Sequence, residues 1–376
     1  MTLEPEDLAP LLDEVERFAR ERVATLAGRP ETPMAVDAFV TLGAEARDLG
    51  LLPAPGSVGG YGLWQGTASA TAVAFGLGAL RHIARADAGV AFAWHRAALA
   101  AFVEETIGLA PAGTDTTTLV VGGPTGLARA GLVDWLAGRP LDDEAEDRLA
   151  AGFDRRATAT VVVAPETWEH LLWPVWTGSG LVWERAARAD LEVETHRGQH
   201  GFDALCGFRV RRPRAVDADQ GPADAASARR ALAGAIRLDL LGLLAIGAGA
   251  LDHGRRLARD YAAMRRQGGR RIVEHPAVAL LLGEIDAALH AADRELAAAA
   301  RGLDDLDLHA IVLGRIATAE ALARGAGQVM QVFGGIGYMR DTGAEKILRD
   351  VNMLRMQTGG LLDTRLFAAE LAGATA

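Results

Sequence analysis

Apolar residues in the first hundred positions recur with a period near 3.6. Across residues 6–22 they fall at Leu8, Leu11, Leu12, Val15, Phe18 and Ala19, with acids early and arginines late, which predicts one amphipathic helix whose end charges suit its dipole. Residues 39–49 repeat the pattern and stop at Gly50, and the following LLPAPGSVGGYGLWQG is dense in Pro and Gly and predicts a loop. From about Gly113 to Pro222 the pattern changes. Residues 119–121, 159–163, 180–183, 191–195 and 208–210 are short β-branched or aromatic runs bounded by Gly, Pro or charge, as strands are. Between them, the acidic segment 142–147 reads as a solvated helix or loop. Beyond Ala223 helical spacing returns. Ala/Leu stretches over 226–266, 275–301 and 306–333, then a last piece from Leu361, predict a four-helix bundle or a close relative.

This division gives an α+β chain that is mainly α: a helical region over 1–112, a small β region over 113–222 and a helical bundle over 223–376. With 376 residues, half of them apolar, there is ample material for a large interior. The net charge of -10 argues against affinity for nucleic acid or an anionic membrane, both of which reward a basic surface. Nearly all the cations are Arg; Lys346 is the only Lys. The single cysteine, Cys206, can form no internal disulfide, and no basic segment followed by an apolar run opens the chain, so a cytoplasmic location is expected. The most apolar stretch, 232–251, carries Arg237 and Asp239, each costly at a bilayer centre, and reads as a buried bundle helix. No phosphate loop, dinucleotide fingerprint, nucleophile elbow or His/Cys spacing for a metal is found. Trp168, Trp173, Trp176 and Trp183 cluster in the β region, where core packing or a subunit contact outweighs stacking on a cofactor as the expectation.

The segment QVFGGIGYMRDTGAEKILRDVNMLRMQTGG, residues 331–360, closely resembles the C-terminal signature of the acyl-CoA dehydrogenase family, a QxxGGxGY run followed by an acidic patch and Arg-Asp. YAAMRRQGGRRIVEHPAV resembles a second family signature, LGLLPAPGSVGGYG and the Ala-Arg-Ala-Asp-Ala-Gly run at 84–89 resemble the N-terminal region, and GFDALCGFRVRRPRAV faintly resembles the middle one. The resemblance implies an acyl-CoA dehydrogenase-like fold: N-terminal helices, a small β domain and a C-terminal four-helix bundle. It implies an FAD oxidoreductase in which a Glu removes the α-proton of an acyl-CoA or other acyl thioester while the β-hydride passes to the flavin. An electron-transfer flavoprotein is among the acceptors it suggests.

By the same resemblance, Arg265 and Gln331, with the Gly334-Gly335 pair, correspond to residues that reach FAD across a dimer interface. A guanidinium suits pyrophosphate because its fork of donors meets phosphate oxygens in pairs. Gly268 stands where many members have Phe. The place of the catalytic Glu falls on Thr358, and those of two further flavin-contacting residues on Gly360 and Leu362. The alternative base position, beside Arg237, holds Ile236. The middle stretch GGPTGLARAGLVDWLAGRPLDDEAEDRLAAGFDRRA does not match the family's flavin-contacting run. Losses thus fall on the chain's own site, while residues serving a neighbour's cofactor remain, the pattern of a subunit paired with a catalytically intact relative in a homo- or hetero-oligomer. Asp239 and Asp363 are the weak candidates for a substitute base. For Asp239 burial would raise the pKa, although a pair with Arg237 is the commoner outcome. A flavin-dependent oxidase or oxygenase on the same fold, or a scaffold subunit without FAD, are the alternative readings.

Overall fold

The structure, a computed structural model, describes residues 3–27, 34–52, 62–110, 117–122, 126–128, 131–154, 158–177, 180–213, 218–220 and 224–375. Helix α1 (Leu8–Phe18) runs through a π-helical turn (Ala19–Val23) into α2 (Ala24–Ala27), followed by α3 (Val36–Asp48), α4 (Ala70–Ala86) and α5 (Ala88–Ile107). Asp87 separates α4 from α5: its backbone is extended and its carboxylate accepts the Val90 N–H at 2.9 Å, capping α5. The Pro/Gly-rich loop of the sequence lies mostly in 53–61, outside the described residues.

Two small sheets follow. Strands β1 (Thr117–Leu119), β3 (His170–Thr177), β4 (Gly180–Ala187) and β7 (Ala218–Gln220) form one, in the order β1-β3-β4-β7, with β1 parallel to β3 and the rest antiparallel. Strands β2 (Thr160–Ala164), β6 (Cys206–Arg211) and β5 (Glu192–His196) form an antiparallel second. Val162, Trp168, Leu171, Trp173, Phe208 and Val210 fill a shared core. Helices α6 (Leu132–Leu136) and α7 (Asp143–Gly152) lie between β1 and β2 in sequence, and Asp142 caps α7 by accepting the Ala145 N–H at 2.7 Å.

Strand β3 is absent from the sequence reading. HLLWPVWT is apolar without alternation and carries Pro174, which argues against a central strand. The register with β1 ends at the Leu119–Leu172 pair, so Pro174 stands two residues beyond the last paired position on that side. The tryptophans resolve as packing: Trp173 is fully buried, Trp168 meets Phe208 edge-on, Trp176 meets Trp135, and Trp183 donates to the Ala228 carbonyl.

Helix α8 (Ala225–Met264) is followed by a hairpin of β8 (Arg266–Gln267) and β9 (Arg270–Arg271), then α9 (Pro276–Ala298), α10 (Leu308–Phe333), α11 (Ala344–Met356) and α12 (Gly360–Thr375). Helices α8, α9 and α10 pack on one another, α11 lies on α8 and α10, and α4 and α5 pack against α8 from the other side. The most apolar window of α8 is 89% buried inside the protein, so its length and hydropathy are those of a core helix. Close approach depends on glycine: a Cβ at Gly249 would lie 2.3 Å from the Arg81 carbonyl oxygen of α4. The sequence did not single out α11 as a helix, because residues 344–356 sit inside the signature and read as motif before they read as pattern.

Candidate functional site

Thr358, where the sequence resemblance puts the family base, lies at the turn between α11 and α12. Thr358, Gly359 and Gly360 have φ of 56°, 91° and 74°, three consecutive left-handed residues. This conformation is uncommon for a β-branched residue. It turns the Thr358 hydroxyl into the protein, where it donates to Asp239 Oδ2 of α8. Arg96 of α5 bridges the two, with Nη1 at 3.1 Å from Asp239 Oδ1 and Nη2 donating to Thr358 Oγ1 at 3.3 Å. His95, next on α5, lies 3.0 Å from Asp239 Oδ1 through Nε2. Its Nδ1 accepts the indole N–H of Trp64 at 2.9 Å, which fixes the tautomer: Nε2 carries the proton and donates it to the carboxylate. Gly242, one turn along α8 from Asp239, leaves the space for this ring, since a Cβ there would lie 2.2 Å from His95 Cε1.

The network is closed. His95 and Asp239 have no exposed surface. Burial pushes the Asp239 carboxyl upward, but Arg96, His95 and Thr358 outweigh it and hold it below the usual carboxylate range. Burial holds His95 below the usual histidine range despite the carboxylate, so it stays neutral. Arg315 of α10, which donates to the Leu354 carbonyl at 2.6 Å, is pulled down by burial to about 10 even with Asp239 nearby. The expected rise in the Asp239 pKa is therefore reversed. Its expected partner is also wrong. Arg237 points the other way, donating to the Leu306 carbonyl at 3.0 Å, because residues two apart on a helix do not share a face.

Asp363, the other carboxylate considered as a base, is also engaged. One oxygen accepts the Leu127 N–H at 2.6 Å and the other the Ala128 N–H at 2.9 Å. Two glycines make room for it: a Cβ at Gly126 or Gly359 would lie 2.4 or 2.2 Å from its carboxylate. Leu127 and Ala128 belong to GGPTGLARAG, the stretch standing where the family has its flavin-contacting run. Among the described residues of this stretch, the Leu127 and Ala128 amides are thus already taken and are not available to the carbonyl acceptors of a flavin ring.

The opposite holds for the outward-facing set. Tyr261 near the end of α8 stacks on Phe333 at the end of α10, ring centroids 4.5 Å apart, which brings Arg265 to the same end of the bundle as Gln331 and the glycine pair. Arg265, Gln331, Gly334 and Gly335 are all exposed, and no atom lies within 4 Å of a Cβ built on either glycine. Gly268 and Gly269, with φ of 62° and 81°, form the two-residue turn of the β8–β9 hairpin, so Gly268 stands where left-handed backbone is needed. Arg265, Arg266, Arg270 and Arg271 are exposed together around this hairpin, an environment suited to pyrophosphate.

Arg349 and Asp350 form an internal junction instead of a site. Lys346 lies 3.1 Å from Asp87 and 2.5 Å from Asp350, and Asp350 also accepts the Phe202 N–H at 2.7 Å. Arg349 forks onto Asp203 at 2.5 and 2.8 Å and also holds Glu345. Sequence reasoning missed Trp64, His95, Arg96 and Lys346. The signal was available in two of them: a His-Arg pair inside the apolar run AGVAFAWHRAALAAF cannot face solvent on a helix buried nearly all round.

Residues 238–360 match the acyl-CoA dehydrogenase C-terminal domain. Among curated relatives, the chain is 34% identical over 117 residues to 3-sulfinopropanoyl-CoA desulfinase of Paraburkholderia xenovorans, a match covering 31% of this chain and 29% of that one. Among solved structures, a glutaryl-coenzyme A dehydrogenase in complex with glutaryl-CoA superposes with a TM-score of 0.73 at 14% identity, covering 100% of this chain and 97% of the other. A prolyl acyl carrier protein oxidase gives 0.71 at 15% identity, covering 99% and 100%. Residues 238–360 thus carry an acyl-CoA dehydrogenase C-terminal domain, and the chain as a whole has the fold of these solved structures, while the curated relative is matched over less than a third of its length.

Proposed function

We propose that this chain is a subunit of an acyl-CoA dehydrogenase complex that completes the FAD site of a related, catalytically intact neighbour and does not itself dehydrogenate acyl-CoA. The observation that carries this reading is the closed network at Thr358: a hydroxyl stands in the place of the base, and the nearest carboxylate, Asp239, is fully buried and held ionised by Arg96 and His95. Such a group has no route to a thioester α-proton. FAD, when bound by the neighbour, supplies the hydride acceptor. This chain's part is to hold it, Arg265 through charge-assisted bonds to pyrophosphate, Gln331 through its amide, and Gly334-Gly335 through a backbone with no side chain in the way.

Flavin stoichiometry tests this. Co-purified with its partner, the complex is expected to hold one FAD per two chains, and this chain alone is expected not to bleach flavin with any acyl-CoA. One FAD in every subunit of a homo-oligomer would overturn the reading in favour of an oxidase or oxygenase. The fold similarity to a prolyl acyl carrier protein oxidase is what supports that second reading.

A further inference from the structure

The contact between Asp363 and the loop at Leu127 joins parts of the chain far apart in sequence. Two successive backbone N–H groups that converge on one point make a nest for an anion or for carbonyl acceptors. Here the occupant is internal. The Asp363 carboxylate meets both N–H groups, one oxygen each, at 2.6 and 2.9 Å. Leu127 has no exposed surface and Asp363 only 8%. The surroundings are shaped for this occupant, because side chains at Gly126 or Gly359 would collide with the carboxylate. The same turn that delivers Asp363 also holds Thr358 against Asp239, so the two closures share one short segment.

We propose that Asp363 is a built-in stopper: its carboxylate occupies the amide pair that would otherwise take the pyrimidine carbonyls of a flavin, and so keeps FAD out of this chain's own side. The inference rests on the subunit reading above and deepens it by naming the group that closes the site. The expected occupant follows from chemistry: an amide pair takes acceptors, and a flavin offers them along its pyrimidine edge.

The test uses the full chain, titrated with FAD and followed by quenching of flavin fluorescence and by the amide resonances of Leu127 and Ala128. The wild type is expected to bind FAD weakly, with those resonances unmoved. Asp363→Ala is expected to bind about ten-fold more tightly, the scale of one charge-assisted hydrogen bond released, and its two amide resonances move on addition of FAD. Asp363→Asn, which keeps the size and one acceptor, is expected to fall between; it serves as the deciding variant if Asp363→Ala does not fold. Stoichiometric FAD in the wild type with the two resonances unmoved would overturn the proposal, as would an unchanged affinity in a folded Asp363→Asn. An unchanged affinity in a folded Asp363→Asn alters neither the FAD count of a mixed complex nor its dependence on Arg265, so this inference fails there while the subunit reading stands; stoichiometric FAD in the wild type overturns both.

Discussion

Thr358 donates its hydroxyl to the buried carboxylate of Asp239, and it does so from a left-handed backbone conformation. Thr358 is thus a structural donor, satisfied on the inside of the protein.

Restoring the missing carboxylate is therefore expected to harm the protein. Thr358→Glu sets a second negative charge against Asp239 and removes the donor Asp239 relies on, at a cost of about 3 kcal/mol or more, in the range of a broken buried ion pair. Urea unfolding should show the loss, and anaerobic mixing with acyl-CoA should show no flavin reduction. Rapid reduction by the variant would mean that the network opens readily.

Stability should fall on mild acidification. His82, His95 and His253 are each held below the usual histidine range, first by burial. The unfolded chain takes up these protons near pH 6.5 while the native state does not, so their contribution is fully present above about pH 6.5 and is lost as pH falls toward the folded values. Denaturant midpoints are expected to be level between about pH 7 and 8 and to drop between about pH 6.5 and 5. His95→Gln should flatten part of that drop; an unchanged slope would remove His95 from the account.

Replacing the only lysine should be among the most damaging single changes. Lys346→Met leaves Asp87 and Asp350, 4% and 2% exposed, facing each other without a cation. The expected cost is about 3–5 kcal/mol. Calorimetry on Lys346→Met, with Lys346→Met/Asp350→Asn recovering part of the loss, checks it.

Arg265→Ala should leave the fold intact, since among the described residues its side chain has no hydrogen-bond or ion-pair partner, and should loosen the flavin of a mixed complex. A lost bond to a charged group is worth roughly 1.5–3 kcal/mol, or about ten- to hundred-fold in FAD retention. Retention equal to wild type would place Arg265 outside the cofactor site.

Exposed apolar side chains collect on the C-terminal helices and turns, with Tyr338 68%, Met339 58%, Met264 74% and Leu362 73% exposed. Light scattering is expected to find an oligomer with an interface of about 2,000 Å² or more. The pair Tyr338→Asp and Met339→Asp should shift it toward monomer; a wild-type monomer at micromolar concentration would contradict the expectation.

The amphipathic stretches and β-rich middle were readable because burial writes itself as period. Strand β3 was not, since Pro174 hides a strand whose partner ends two residues earlier. Arg265, Gln331 and the glycine pair were singled out by residue type and spacing, and the structure leaves all four exposed at one end of the bundle. The Asp239 network was not. Its members, Trp64, His95, Arg96, Asp239 and Thr358, lie on four separate segments, and only folding reveals that the single carboxylate is shared among three donors, one of them fixed by Trp64. Asp239 could be recognised as buried; that burial would leave it ionised depended on neighbours more than a hundred positions away.

The Lys346 junction sets a condition on how the protein is made. Asp87 and Asp350 meet on one ammonium and the Phe202 N–H holds Asp350 there, so the three successive portions of the chain join at this point. Contacts this distant in sequence close late and slow the search for the native state. During synthesis the first helices wait tens of seconds, at ordinary elongation rates, for the residues that neutralise Asp87 to be made. Until then Asp87 remains without its cation, and until α8 is complete at Met264 the apolar faces of α4 and α5 remain without the helix that covers them. The nascent chain therefore passes through an interval with this apolar surface uncovered, and its yield in a cell is expected to depend on what shields that surface until α8 is made.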